Sequence, residues 1–263
     1  TANRRQRQMC IRDRFKIKNM NNLIIIPARL ESTRLPNKPL ADIKGLPMII
    51  HVLNRGLESS CGDVIVATSN IEIFDVVKSY GQTAIMTNPD HPSGSDRIFE
   101  ALNIFDPKGK YKNIVNLQGD LPTIDPSLIK LTFKLIENNQ DVDISTLGGI
   151  INNEDELNDL NIVKAYVKRL NQSLYASDFI RSPKGYDREN LFHHLGIYGY
   201  KRKSLEKFIK TKQSKRELDL KLEQLRALDN GMSIAIDLID KIPIGVDTED
   251  DLYKVRKELS NKR

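Results

Sequence analysis

Cysteine is scarce in this sequence: Cys10 and Cys61 are the only two. Two thiols this far apart build no disulfide framework, which fits a reducing cytoplasm. Apolar runs are short as well. None reaches the roughly 18 consecutive residues that a membrane helix needs, so a soluble chain with no membrane partner is expected. Residues 1–19 also lack the apolar stretch of about 7 to 15 residues that marks a secretory signal. Neither G-x-x-x-x-G-K-[ST] nor G-x-G-x-x-G occurs, so the P-loop and the dinucleotide fingerprint are excluded. There is no internal repeat, no low-complexity segment and no interior linker long enough to force two independent domains.

The basic charge is localised. The chain carries a formal +6, but residues 1–19 hold seven Lys and Arg and a single acid, Asp13, leaving 34 bases against 34 acids in the rest. A neutral body argues against a phosphate-tracking surface, and no nucleic-acid partner is expected. For the leader three readings stay open: an arm for nucleic acid or membrane, a targeting peptide, or an extension outside the fold. The last is the expectation, since Met20 stands just before the first strand.

What the sequence does contain is a regular alternation of strand and helix signals. "LIIIPA" (23–28) is a continuous apolar run, as in a central strand covered on both faces. A helix is expected from Pro47, where Ile50, Leu53, Asn54 and Leu57 recur near helical spacing, then a strand over 63–69 and a helix over 71–81 stopped by Gly81. A strand at "TAIMT", a helix at "SDRIFEALNIF" and a strand over 112–120 complete this half. Such alternation predicts a doubly wound α/β fold with ligands beyond the carboxyl ends of its strands. In the second half a helix is expected at "PSLIKLTFKLIENN", strands at "DVDISTLGG", "NIVKAYVKR" and 193–200, and a polar loop over 181–190. A single helix is read over 216–231 with Leu218, Leu222, Leu225 and Leu228 along one side, then a short strand "IPIGVD" and a helix opened by a Thr248–Asp251 capping box.

Charged and polar clusters fall where such a fold puts its ligands. "ARLESTRLPNK" places Arg29, Arg34 and Lys38 on a proline-stiffened loop after the first strand, and cations there suit a polyphosphate, although a solvated loop would look the same. Asp120 follows the strand over 112–120 and Asp247 closes "IPIGVD", so two carboxylates could meet at one sheet edge and hold a hard cation. Either could equally be a turn or helix cap.

The blocks "PARLESTRLPNKPL", "VIVATS", "HPSGSDRIFEA", "IVNLQGDLP", "HLGIYGY", "LEQLRALDNG" and "GVDTEDDL" together resemble the 3-deoxy-manno-octulosonate cytidylyltransferases, in family order and over nearly the whole chain from about Met20. The resemblance implies a nucleotide-diphospho-sugar transferase-like, Rossmann-like α/β fold, with a central mixed, mostly parallel sheet flanked by helices. It also implies a homodimer that joins CTP to an acidic sugar and releases pyrophosphate with Mg²⁺. One domain is expected over 20–263, with a sugar-binding and dimerisation subregion around 140–215. Carried onto matching positions, it assigns Arg29, Lys38, Asp120 and Asp247 to catalysis, the two acids as metal ligands. Ala28, Arg29, Ser32, Arg34, Lys38, Ser93, Gly94, Ser95, Arg97 and Gln118 fall to the nucleotide. Arg34 is read as a supporting partner, and Asp96 as the cap of the helix that follows. His194, Tyr198, Glu223 and Gln224 fall to the sugar acid, and His193 is read as structural.

Two positions depart from the family pattern. Leu121 replaces the acid after the metal aspartate, and Asp178 stands where the family has an arginine that holds the sugar acid. A carboxylate there would repel the substrate, so either Asp178 turns away or the substrate differs, with Arg181 as the expected replacement. The alternatives left open are another acidic sugar (8-amino or sialic-type), a nucleotide-sugar glycosyltransferase, and a catalytically dead regulatory or RNA-binding relative.

Overall fold

In the computed structural model the described residues are 21–32 and 34–261; the leader, Met20 and Cys10 lie outside them. Asn22–Ala28 forms β1, whose Leu23 and Ile25 point into one apolar cluster and Ile24 and Ile26 into another, all fully buried. Period-two alternation puts successive side chains on opposite faces, and each face is covered by helices. A small hairpin follows, β2 (Asp42–Ile43) and β3 (Leu46–Pro47), then α1 (Met48–Ser59), β4 (Asp63–Thr68), α2 (Ile71–Ser79), β5 (Ala84–Met86), α3 (Gly94–Phe105), β6 (Asn113–Asn116) and α4 (Pro126–Asn138). β5, β4, β1 and β6 lie side by side and parallel. Helices α1 and α4 cover one face and α3 the other.

The second half departs from the expected mostly parallel sheet. It comprises β7 (Ile144–Ile150), α5 (Glu154–Asn158), β8 (Lys164–Leu170), β9 (Ser173–Ile180), β10 (Leu191–Lys201), α6 (Arg202–Lys210), α7 (Lys215–Leu220), α8 (Gln224–Asp229), β11 (Ile234–Ile239) and α9 (Glu249–Asn261). The nine-stranded order is β5-β4-β1-β6-β10-β7-β11-β9-β8. β10 runs antiparallel to β6, β7 and β8, and its pairing with β8 closes β10, β7, β11, β9 and β8 into a five-stranded ring. β8 and β9 form a hairpin whose two-residue turn puts Asn171 in the left-handed region, φ 56°. Asparagine tolerates that conformation well, and the strand after it, which the sequence reading passed over, follows from the turn.

Two other readings are corrected. The helix over 216–231 is two short helices, α7 and α8, separated by Lys221 at φ 54°; Leu218 is exposed while Leu222 and Leu225 are buried. "IPIGVD" is not a strand. The strand is β11, eight residues earlier along, and residues 240–247 run on as a loop that Val246 N–H ties to the Asp120 carbonyl at 2.9 Å. The capping box at Thr248 and Asp251 does form, with Asp251 N–H on Thr248 Oγ1 at 3.2 Å and Thr248 N–H on Asp251 Oδ2 at 3.1 Å.

Candidate active site

Three hollows open beyond the carboxyl ends of β1 and β6, and Gln118 lines all of them. The first, about 370 Å³, is walled by Ala28, Arg29, Ser32, Arg34, Lys38, Asp120 and Asp247. Its loop is held from below: Asn70 Oδ1 accepts from Leu30 N–H at 3.1 Å, and Ser32 Oγ accepts from Leu35 N–H at 3.4 Å. Asn37 in the left-handed region and Pro39 then shape a single 3-10 turn over Lys38–Leu40, which turns Lys38 inward. Lys38 Nζ lies 3.3 Å from Asp120 Oδ2 and 3.0 Å from Asp247 Oδ1, and Arg34 donates to Asp247 Oδ2 at 2.9 Å. The two acids, 127 positions apart in the sequence numbering, therefore share one cation. Desolvation at this wall raises the Asp120 carboxyl above the usual range, against the pull of Lys38, and the nearby Asp247 charge adds repulsion. Desolvation also works against the Lys38 ammonium, but the two carboxylates overcome it and hold its pKa above the ordinary value.

Gly119 makes this approach possible. A Cβ there would stand 2.8 Å from the Pro27 carbonyl oxygen, so only glycine lets the Gln118–Asp120 loop lie against the end of β1. Leu121, the departure noted after Asp120, is 4% exposed within the apolar cluster under α1 and α4. An acid at that position would be buried among hydrocarbons, so leucine is the residue this packing accepts.

The second hollow, about 190 Å³, is lined by Ala28, Arg29, His91, Ser93, Gly94, Arg97 and Gln118. Arg97 is 5% exposed and donates to Thr87 Oγ1 at 2.7 Å. Desolvation and the facing Arg29 lower its pKa. Among the described residues neither guanidinium has a carboxylate within ion-pair distance in the structure, leaving two cations turned toward one small space. Ser93, not Asp96, caps α3: its hydroxyl accepts Asp96 N–H at 3.2 Å. The reason is position, since Asp96 already lies in the first turn, where its carboxylate accepts from Ser93 Oγ at 2.6 Å.

The third and largest, about 970 Å³, is lined by His193, His194, Tyr198, Gln224 and the loop from Asp159 to Val163. His194 and Tyr198 do share it, with ring centroids 5.4 Å apart. Thr146 Oγ1 has one proton, taken by a neighbouring carbonyl such as Ile197 O at 2.8 Å, so His194 Nε2 carries a hydrogen and donates to it across 3.0 Å. Burial, with repulsion from His193, pushes His194 down to about 3. His193, expected to be structural only, also faces this cavity, its Nδ1 2.6 Å from Glu156.

Two assignments to the sugar side change. Arg181 does not reach the cavity: it donates to the carbonyls of Leu160 at 3.0 Å, Asn161 at 3.3 Å and Leu220 at 3.5 Å, all neutral acceptors that hold the cavity's wall from behind. Glu223 lies between the hollows, its carboxyl group on Ser93 and Ser95 at the start of α3. Asp178 turns away, bonded to Tyr186 Oη at 2.6 Å and paired with Arg216, which also holds Asp229 at 2.8 Å. The sequence reading missed Arg216 and the fully buried Lys164, which donates to the carbonyls of Asp159 and Arg181. Neither carries a local signal, because both partners lie on other elements.

The cytidylyltransferase family model matches residues 23–234. A 3-deoxy-manno-octulosonate cytidylyltransferase of Paramagnetospirillum magneticum is 48% identical over 242 residues, covering 90% of this chain and 97% of that protein. The chain belongs to the 3-deoxy-manno-octulosonate cytidylyltransferase family. A second member, from Methylorubrum extorquens, is 47% identical over 242 residues and covers 92% of the chain and 98% of its own length. A solved structure of CMP:2-keto-3-deoxy-manno-octonic acid synthetase complexed with CTP superposes with a TM-score of 0.84 at 34% identity, over 92% of this chain and all of that one. The fold brings Asp120 of the "IVNLQGDLP" block and Asp247 of the "GVDTEDDL" block onto one ammonium. Among the described residues no helix is long and apolar enough to cross a membrane.

Proposed function

We infer that this chain transfers the cytidylyl group of CTP to 3-deoxy-manno-octulosonate, a step of lipopolysaccharide biosynthesis, giving the CMP-sugar and pyrophosphate. One observation carries the reading beyond family membership: three cations and two acids line a hollow that shares Arg34, Gln118 and Asp247 with the wall of a cavity large enough for an eight-carbon sugar acid. Arg29, Arg34 and Lys38 bind the triphosphate and neutralise the leaving pyrophosphate. The 190 Å³ hollow between Arg97 and Ser93 receives the cytosine and ribose. Tyr198, His194 and Gln224 orient the sugar so that its anomeric oxygen bonds to the α-phosphorus as the bond to the β-phosphate oxygen breaks, the hydroxyl proton passing to water and pyrophosphate leaving. No covalent enzyme intermediate is needed. With its imidazole neutral, His194 offers a lone pair at Nδ1 and no charge.

The donor set suits Mg²⁺. Asp120 and Asp247 supply oxygen ligands only, an ammonium already stands between them as a stand-in cation, and no cluster of three or more His, Cys, Asp or Glu exists among the described residues, so the remaining ligands come from phosphate and water. When bound there, the ion supplies Lewis-acid polarisation of the phosphoryl oxygens. We read the enzyme as a cytoplasmic homodimer whose region 140–215 carries the sugar site and the dimer contact. The exposure of Leu160 and Leu170, each 58%, supports that placement. The test is pyrophosphate release from CTP and the free sugar acid with Mg²⁺ and no acceptor glycan. Release that needs an acceptor glycan, or that proceeds with another sugar acid and not this one, would overturn the reading.

A further inference from the structure

Glu223 joins two hollows that the sequence assigns to different substrates. Its neighbours Leu222 and Gln224 line the large cavity, while Ser93 and Gly94 line the small one. Glu223 Oε1 lies 2.6 Å from Ser93 Oγ and Oε2 lies 3.1 Å from Ser95 Oγ, across about 130 positions of sequence. Ser93 is the cap of α3, so this carboxylate grips the end of the helix that faces the small hollow. From the other side the start of α8 is anchored. Arg226, 3% exposed, donates to Glu217 through Nε at 2.9 Å and an Nη at 2.6 Å, and its guanidinium lies 4.7 Å from the Phe208 ring centroid. Buried bidentate pairs of this kind fix geometry rather than contribute much net stability.

The hydrogens tighten the link further. Ser93 Oγ has one proton and stands 2.6 Å from both Asp96 Oδ2 and Glu223 Oε1. It can donate to only one of them, so the other contact needs a proton on the carboxyl. Desolvation raises the Glu223 pKa, against the pull of the Ser93 hydroxyl and of the Arg226 guanidinium 3.9 Å away. Ser93 Oγ also accepts Asp96 N–H, so one hydroxyl ties Glu223, the Asp96 side chain and the first turn of α3 together.

We propose that Glu223 is a positioning residue that couples the two substrate sites: occupation of the nucleotide hollow fixes the cap of α3, and through Glu223 the placement of Gln224 in the sugar cavity. The proposal rests on the function inferred above. Coupling between two ligands is reciprocal and commonly amounts to roughly fivefold or more in affinity. The experiment measures the dissociation constant of 3-deoxy-manno-octulosonate by calorimetry without nucleotide and with saturating CMP, a non-reacting probe of the small hollow, in the parent, Glu223→Ala and Ser95→Ala. Sugar binding by the parent tightens about fivefold or more with CMP. In both variants that gain falls toward onefold, while sugar affinity without nucleotide changes less than the coupled value. Ser95→Ala keeps the test open should Glu223→Ala fold poorly. Equal weakening with and without CMP would show a plain sugar contact, and no tightening in the parent would show independent sites; either result overturns the proposal. Turnover of the parent on CTP and the sugar acid, assayed on the same preparation, separates this failure from failure of the assigned reaction.

Discussion

Replacing His194 with glutamine removes a buried imidazole while keeping an N–H that can reach Thr146. The native ring is held neutral, its pKa pushed down to about 3, whereas an unfolded chain offers an ordinary histidine near 6.5. The unfolded state therefore binds a proton that the folded state refuses. His194 costs the fold nothing above pH 6.5, and stability falls as the pH drops through that value toward 3. Between pH 7 and pH 5 the linkage amounts to about 2 kcal/mol, and any native value well below 5 gives nearly the same figure. Urea denaturation of parent and His194→Gln at both pH values isolates it, since carboxylates common to the two proteins cancel. The parent should lose about 2 kcal/mol more than the variant over that interval. Parallel losses would mean that the imidazole is protonated in the native protein, and the neutral ring assigned to the sugar cavity would fall with it.

Gly119→Ala drives a methyl group to 2.8 Å from the Pro27 carbonyl, which must push the Gln118–Asp120 loop away from β1. Turnover should fall about 100-fold with the fold retained, as for misplacements near 1 Å, and unchanged kinetics would refute the close approach. Arg181→Ala removes the hydrogen bonds to Leu160, Asn161 and Leu220, so stability should drop about 1–3 kcal/mol. Its sugar Michaelis constant should rise more than that for CTP, through the slackened Asp159–Val163 wall; equal changes in the two constants would dispose of that route.

The first half of the fold was legible because its strands are buried on both faces and its helices are amphipathic, so β1, β4 and β6 announce themselves as apolar runs. The cationic loop was legible for the same reason: Arg29, Arg34 and Lys38 follow a strand whose end is unmistakable. The closed ring was not. Its strands mix buried and exposed positions irregularly, β10 carries a register shift between Leu195 and Gly199, and the turn that makes β9 depends on one left-handed asparagine. The partners of long side chains were the least readable. Asp178 looked like a repulsive charge at the substrate because Arg216 and Tyr186, which neutralise and orient it, lie on other elements. Glu223 and Gln224 are adjacent in sequence yet serve different hollows, because the start of α8 stands between them.

The central claim is that Asp120 and Asp247 together hold the magnesium of a CTP gripped by the cationic loop. Its most direct test is Mg²⁺-dependent pyrophosphate release, with CTP and the sugar acid, by the parent and by Asp120→Asn at equal folded concentration. The account predicts a loss of at least about 100-fold in kcat that extra Mg²⁺ only partly restores. Full turnover by Asp120→Asn at the parent's Mg²⁺ requirement would contradict it.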